Sequence, residues 1–449
     1  MKNIYFVGIG GIGMSALARF FVHEGYSVAG YDRISTPLTE KLENEGIAIH
    51  YSDSVALIPV EFRDPTTTRV IFTPAVKEDH TELTFFRANN FEIIKRAKAL
   101  GILCQNKYTM AVAGTHGKST TSTLVAWINH CASTDGTGSA FLGAISKNFG
   151  SNIVMGTGDR MAVEADEFDR SFHQLHPAVA LVTSADADHL DIYGTAENVR
   201  EAFRIFISQV KYCTIIKYGL DLPHTLTYSL DDPRADFHAL NITLRDGGYY
   251  NFDLNLQGHI IKNCTLGIPG LVNIENAVGA VALTYQKGFD ENKIQEALAT
   301  YRGVERRFDF WINEPSKVYL DDYAHHPREL TAMLRSVRKM FPHRHITICF
   351  QPHLYTRTRD FADEFSQALT LADRVILIPI YPARELPIAG VDSKMIYDHI
   401  TCEKFLCEKA ELVSMLAQMD HDIVITAGAG DIDTLRQQIA QVIDRPTDA

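Results

Sequence analysis

The chain has 449 residues, of which 46% are hydrophobic and 22% charged. That balance belongs to a soluble globular protein and excludes a disordered, collagen-like or coiled-coil chain. Forty-three Lys+Arg against 55 Asp+Glu leave a formal charge of −12, which offers no general footprint for nucleic acid or an anionic membrane, although a few local cations can still hold a small anion.

At roughly 150 residues per domain the length predicts about three domains. The seven cysteines are odd in number and scattered, with no C-x-x-C, the usage of a reduced cytoplasmic protein without a structural zinc site. No run reaches the ~20 apolar residues of a membrane span. The uncharged stretch 4–18 loosely imitates a signal peptide. However, Gly8, Gly10, Gly11 and Gly13 crowd its centre, and a strand-loop-helix reading fits better.

The elements alternate β and α, which predicts parallel sheets with helices on their faces. The first block, 1–106, has a strand over 3–7, a turn over 8–13, a helix over 14–24, a strand over 27–31, and later strands over 70–72 and 91–94. The second block, 107–303, opens with a strand over 110–113, a glycine loop and a helix from about Ser119. Strands over 160–163 and 178–183 follow, then a β-rich stretch near 212–266. Within it Asp246-Gly247-Gly248 marks a hairpin, and a helix follows over 273–287. The third block, 304–449, carries strands over 317–320, 345–350, 374–380 and 422–426. Polar clusters follow five of these strands, at 164–167, 186–191, 321–326, 351–359 and 428–431. Open α/β sheets bind ligands at the carboxyl ends of their strands, so these clusters predict sites in a shared cleft.

Gly114-Thr115-His116-Gly117-Lys118-Ser119-Thr120 lies between a strand and a helix. There, backbone N–H groups and the helix dipole cradle phosphates, Lys118 reaches the β/γ-phosphates, and the Ser119 hydroxyl can ligate Mg²⁺. Val112 stands where the full phosphate-loop pattern has its first glycine. Gly8-Ile9-Gly10-Gly11-Ile12-Gly13 matches G-x-G-x-x-G after a strand, with Asp32 at the end of the next strand. Alone, this pattern cannot separate NAD from another nucleotide diphosphate. Glu164 and His189 each follow an apolar strand and could complete a Mg²⁺ shell, against the alternative of a solvated acidic rim with Asp166, Glu167, Asp186, Asp188 and Asp191. Arg306 and Arg307 could grip phosphate, or pair structurally with Asp309. Asp321-Asp322-Tyr323-Ala324-His325-His326-Pro327 suits nucleotide and substrate contacts better than a metal, because adjacent histidines seldom face one ion. His353, Arg357 and Arg359 could clamp a carboxylate.

Taken in order, the glycine-rich first block, G-T-H-G-K-S-T, E-A-D-E, D-H-L-D, R-R-F-D and D-D-Y-A-H-H-P resemble the Mur ligases of peptidoglycan synthesis over about residues 3–435. Within that family, Phe350-Gln351-Pro352-His353, Tyr355-Thr356-Arg357-Thr358-Arg359-Asp360, Tyr381-Pro382-Ala383 and Gly428-Ala429-Gly430-Asp431 resemble the branch acting on L-alanine. The resemblance implies three α/β domains: a Rossmann-like 1–106 for the UDP-sugar, a central P-loop ATPase-like 107–303 for ATP, and a Rossmann-like 304–449 for the amino acid and ATP. It implies an ATP-dependent, ADP-forming enzyme of the cytoplasm, monomer or homodimer. It further implies a reaction that joins L-alanine to the lactyl carboxylate of UDP-N-acetylmuramate through an acyl phosphate.

Under that resemblance Gly8, Gly10, Gly11, Gly13, Asp32 and Arg96 bind the UDP-sugar. Gly114 to Thr120, with Asn273, Asn276, Arg307 and Asp322, bind ATP. Ser119, Glu164 and His189 hold Mg²⁺, with Mn²⁺ as the alternative ion. Tyr323, His325, Arg357 and Arg359 serve alanine, and Lys118, His189, His325 and Arg357 act in catalysis. Val272, Leu354 and Ser184 depart from His, Arg and Asn common in relatives. Phe203 lies near the position of a carbamylated lysine in sister ligases. Two alternatives stand: a ligase that reattaches recycled murein tripeptide, and an NAD-dependent oxidoreductase fused to an ATPase domain.

Overall fold

The computed structural model describes residues 1–77, 79–132, 137–186, 190–383 and 385–444, with the side chains of Leu190 and Asp191 left aside. The chain divides into two compact units. The first comprises Met1–Ile242, Asn251–Gly267 and Val272–Gly303, and the second Thr243–Tyr250, Ile268–Leu271 and Val304–Ala449. Three sheets run through it.

The first sheet holds β1 (Asn3–Val7), β2 (Ser27–Tyr31), β3 (Ala48–His50), β4 (Thr68–Phe72) and β5 (Glu92–Lys95) in the order β3-β2-β1-β4-β5. All pairings are parallel. Its strand order reverses between β1 and β4, so the glycine loop after β1 sits at the switch point where such sheets take ligands. The helix expected over 14–24 spans Ile12–His23 and has Gly11 as N-cap with no side-chain cap bond. The glycines turn the chain so tightly that the helix begins two residues early, with its first-turn N–H groups uncapped by side chains.

The second sheet has ten strands: β6 (Tyr108–Ala113), β7 (Ser139–Ser146), β8 (Ser151–Val154), β9 (Arg160–Glu164), β10 (Val179–Val182), β11 (Cys213–Lys217), β12 (Leu226–Tyr228), β13 (Phe237–Leu244), β14 (Tyr250–Leu256) and β15 (His259–Thr265). β6 lies between β9 and β10 and is parallel to both. Met110 to Ala113 are fully buried, as an apolar central strand requires. The predicted hairpin at 246–248 joins β13 and β14, neighbours in the sheet.

One apolar core serves the first two sheets. Ile4, Phe6, Leu17 and Phe21 belong to the same buried cluster as Phe141, Ile153, Met161 and Val163. Asn152, 0% exposed, fastens the seam. Its Nδ2 donates to the Ile12 carbonyl and to Ser15 Oγ (3.1 Å), and its Oδ1 accepts from Arg19 Nη1 (3.0 Å).

The third sheet belongs to the second unit. It contains β16 (Asp309–Asn313), β17 (Val318–Asp322), β18 (Ile346–Phe350), β19 (Arg374–Leu377), β20 (Glu403–Leu406) and β21 (Ile423–Ala427), in the order β16-β17-β21-β18-β19-β20. Only the edge strand β16 runs antiparallel to its neighbour. The strand expected over 374–380 ends at Leu377, because Pro379 has no N–H for the ladder. Among the described residues no helix is long and apolar enough to cross a membrane.

Candidate active site

The strongest sequence motif falls where β6 ends and the helix Lys118–Ala132 begins. Gly114 has φ +136°, and a Cβ there would lie 2.1 Å from Thr183 Oγ1, so only glycine fits between this loop and the end of β10. Two hydroxyls after β10 hold the loop. Thr183 Oγ1 donates to the carbonyls of Ala113 and His116. Ser184 Oγ accepts the His116 N–H (2.8 Å) and lies 2.9 Å from Thr115 Oγ1. The His116 ring faces Asp186 at 3.7 Å near the surface. The Thr120 carbonyl accepts from Tyr301 Oη (3.0 Å).

Lys118 is drawn in under this loop. Its Nζ donates to the Gly114 carbonyl at 2.6 Å and lies 2.9 Å from both Glu167 oxygens. Burial opposes the ammonium, but the carboxylates of Glu167 and Glu164 outweigh it and hold its pKa above the usual lysine value. Glu164, the last residue of β9, receives Ser119 Oγ (3.1 Å), Ser122 Oγ (3.4 Å) and the Gly143 N–H (3.1 Å). Gly143 is needed here as well, since a Cβ on it would lie 2.2 Å from Glu164 Oε1. Asn273 and Asn276 are buried on the helix Leu271–Tyr285. Asn276 Oδ1 accepts from Thr121 Oγ1 (3.3 Å), and its Nδ2 donates to Asn273 Oδ1 (3.3 Å). This brings the two asparagines to the phosphate loop, with Val272 exposed beside them. His189 and Asp188 lie outside the described residues.

In the glycine loop of the first sheet, Gly8 and Ile9 donate to the Tyr31 carbonyl. The Asp32 carboxylate is turned inward and accepts from the N–H of Gly10 (2.6 Å) and of Arg33 (2.7 Å). Arg96 Nη2 pairs with Asp166 Oδ2 at 3.1 Å. A cleft of about 160 Å³ is lined by Gly13, Arg96 and Leu100 on one side and by Gly143, Glu164 and Asp166 on the other. One opening therefore joins the glycine-loop helix to the carboxylate beside Ser119.

The second unit gathers the remaining candidates at the carboxyl ends of β17, β21 and β18. The two adjacent arginines separate by role. Arg306 is structural: its Nη2 donates to the carbonyls of Gly428 and Gly430 (3.3 Å), and its Nη1 pairs with Asp433 at 3.3 Å. Arg307 lies 4.9 Å from the centre of the Tyr323 ring. Asp322 accepts from the N–H groups of Phe308 (2.7 Å) and Ala324 (2.8 Å). Burial raises its pKa, and the charge of Arg307 opposes that rise.

His325 Nδ1 lies 2.9 Å from the Tyr323 carbonyl. A carbonyl only accepts, so Nδ1 carries the hydrogen. Burial pushes the His325 pKa below the ordinary imidazole value, and the nearby Arg357 charge adds to that. The Glu329 carboxylate, 3.5 Å from Nδ1, opposes that fall; with the hydrogen on Nδ1, the neutral ring has its lone pair on Nε2. Arg357 Nη1 lies 3.5 Å from His353 Nδ1, and the His353 ring meets His325 edge-to-face at 5.9 Å. Leu354, with φ +72°, precedes the short helix that bears Arg357. Arg359 turns away and pairs with Asp360 at 2.7 Å on the surface.

Thr183, Ser184 and Glu167 shape the phosphate loop, yet sequence reasoning assigned them no part in it. Glu167 was visible in E-A-D-E, but only the tertiary pairing with Lys118 singles it out from its acidic neighbours.

Three family models cover the chain in order: the Mur ligase family catalytic domain over residues 3–108, the Mur ligase middle domain over 112–284, and the Mur ligase glutamate ligase domain over 306–430. A UDP-N-acetylmuramate–L-alanine ligase of Phocaeicola vulgatus is 47% identical over 99% of both chains. The chain belongs to the Mur ligase family. Among solved Mur ligases, a UDP-N-acetylmuramate–alanine ligase of Thermotoga maritima superposes with TM-score 0.82 at 27% identity, covering 98% of this chain and 99% of that one. A murein peptide ligase of Psychrobacter arcticus shares the fold with TM-score 0.70 at 21% identity, covering 100% of both chains.

Proposed function

We propose that this Mur ligase joins L-alanine to the lactyl carboxylate of UDP-N-acetylmuramate, with ATP cleaved to ADP and phosphate, in the cytoplasm. The observation that carries the reading is the cleft in which Gly13 and Arg96 face Glu164 and Asp166. A nucleotide-sugar seated on the glycine loop has its acid end directed along this opening toward the phosphate loop. The 47% identity to the alanine ligase of Phocaeicola vulgatus over nearly the whole chain supports alanine as the amine.

A carboxylate does not react with an amine at neutral pH, because oxide is too poor a leaving group. Phosphorylation by ATP converts that oxygen into phosphate. Amine attack on the acyl phosphate then forms a tetrahedral intermediate, which releases phosphate and leaves the amide. Phosphoryl transfer of this kind depends mostly on positioning and charge neutralisation.

With the N–H groups of Thr115 and His116 held by Ser184, the remaining amides of the loop Gly114 to Thr120 face the phosphates, and Lys118 supplies positive charge to the transferring group. Asn273 and Asn276, hydrogen-bonded to each other, with Asn276 also accepting from Thr121, stand beside the adenine. Gly8, Gly10, Gly11 and Gly13 receive the UDP diphosphate. Asp32 acts by fixing the Gly10 amide, and Arg96 faces the sugar-acid. Arg307 and Asp322 serve ATP, and Tyr323, whose ring lies under both Arg306 at 5.0 Å and Arg307 at 4.9 Å, serves alanine with His325 and Arg357.

Ser119 and Glu164 would hold Mg²⁺, with His189 as a third residue. The hydroxyl and carboxylate oxygens, 3.1 Å apart, fit a hard cation that keeps several waters and takes phosphate oxygens. Bound there, Mg²⁺ supplies neutralisation of phosphate charge. His325 is the base that takes a proton from the alanine ammonium: its Nδ1–H is held by the Tyr323 carbonyl, and its neutral Nε2 can accept. Arg357 pairs with the alanine carboxylate, with Arg359 behind it at the surface.

The deciding experiment measures ADP release from ATP and Mg²⁺ with UDP-N-acetylmuramate and L-alanine, glycine, L-serine or the murein tripeptide in turn. The reading predicts release with L-alanine. Release with the tripeptide alone, or none with any amine, overturns it.

A further inference from the structure

Among the described residues, the Lys118–Glu167 pair is the most deeply buried ion pair at the phosphate loop. Glu167 is 2% exposed, and both its oxygens lie 2.9 Å from the lysine Nζ. Its backbone is held too, because Tyr193 Oη donates to the Glu167 carbonyl. Lysine has three N–H donors. Here one meets the Gly114 carbonyl and another Glu167 Oε1, with Oε2 also 2.9 Å from Nζ, so phosphate oxygens approaching the loop meet a lysine whose charge is already paired with an internal anion. Glu164 and Asp166 add to the negative field around the same ammonium.

The geometry points to Glu167 as the residue that sets the affinity of this site for nucleotide phosphates, by competing with them for Lys118. The inference rests on the nucleotide reading of the loop and deepens it. The physical reason is that two anions share one cation in a poorly solvated place, where charge–charge terms exceed their value in water several-fold. Phosphate gains the full attraction of Lys118 only as the carboxylate gives it up, and repulsion between carboxylate and phosphate opposes binding further. A residue that merely supported the loop would weaken nucleotide binding when altered. A competitor strengthens it.

The test uses the full chain and needs no turnover. Equilibrium affinities for Mg²⁺-ADP, Mg²⁺-AMP-PNP and adenosine are measured by calorimetry on the wild type, Glu167→Gln and Glu167→Asp, together with melting temperatures. The expected result is about tenfold tighter binding of both phosphorylated nucleotides to Glu167→Gln, with unchanged affinity for adenosine. The ligand-free variant should melt lower, because a buried lysine has lost its counter-ion. Glu167→Asp, whose shorter side chain draws the charge back from Nζ, should shift the affinity the same way by a smaller factor, and it keeps the test open if the glutamine variant does not fold. Equal or weaker binding of ADP and AMP-PNP by folded variants overturns the inference while leaving the nucleotide reading intact. Failure of the wild type to bind either nucleotide overturns the nucleotide reading itself, and the inference with it.

Discussion

Replacing Glu82 with Gln should stabilise the first unit in a pH-dependent way. Glu82 is 0% exposed at the start of the helix Thr81–Ala88. Its Oε2 lies 2.8 Å from Tyr5 Oη, and its Oε1 lies 3.4 Å from the Ser54 amide and 3.2 Å from His50 Nε2. Tyr5, His50 and Asp53 are the titratable groups around it, and Tyr31 and His80 complete the cluster. Burial, reinforced by the Asp53 charge, raises the Glu82 pKa from 4.5 to about 7 against the pull of the Tyr5 and Ser54 hydrogen bonds. Between those two values the folded protein keeps a proton that the unfolded chain has released. Stability therefore falls as pH rises through this window, and the penalty is complete above pH ~7. A shift of that size corresponds to roughly 3 kcal/mol.

Glutamine, like the protonated acid, has one carbonyl oxygen, which can accept from Tyr5, and one N–H donor group, here on the side of His50 Nε2, but it never ionises. Urea unfolding of wild type and Glu82→Gln, followed by circular dichroism at pH 5, 6, 7 and 8, should give nearly equal midpoints at pH 5. A gap in favour of the variant should then open to a few kcal/mol by pH 8. Both proteins carry His80, so its titration largely cancels in the comparison. A difference independent of pH, or a variant less stable at pH 8, would refute the reasoning.

Lys118→Ala should abolish ADP release in the complete assay, and wild-type rates in that variant would remove the phosphate loop from the mechanism. Asn152→Ala leaves the Ile12 carbonyl, Ser15 and Arg19 without their buried partner, and should cost about 2 kcal/mol in unfolding of the first unit; an unchanged unfolding curve would deny that seam its importance. His325→Asn should lower kcat by roughly 10²–10⁴-fold, the usual contribution of a positioned base. Because the His325 pKa is depressed and its neutral form accepts the proton, that residue's part in the acid limb of kcat/KM should lie below the ordinary imidazole pKa; a limb well above pH 6.5 that disappears in His325→Asn would contradict the assignment. Arg357→Lys should raise the KM for alanine about tenfold or more with a smaller effect on kcat, since lysine cannot grip a carboxylate bidentately.

Much of the architecture was legible in the chain because local physics carries it. Apolar runs such as Met110 to Ala113, each followed by glycine or a polar cluster, identify parallel strands with ligand-facing ends. Gly8 to Gly13 and Gly114 to Gly117 mark turns that other residues cannot make. Details failed where a single residue overrides the pattern, as when Pro379 ends β19 early. The two adjacent arginines could not be told apart from their order. Arg306 is committed to Gly428, Gly430 and Asp433, more than 120 positions away, and nothing near it in sequence announces those partners.

By itself, then, the order of amino acids determined the family, the three sheets and the two glycine loops, because periodicity and backbone freedom act over a few neighbouring residues. Only the folded molecule decided which carboxylate neutralises Lys118, which arginine remains beside Asp322, and that the first two sheets share one core sealed at Asn152. Those outcomes depend on burial and on charges brought within about 3 Å by distant segments. Desolvation and pairing of that kind exist only once the chain has closed on itself.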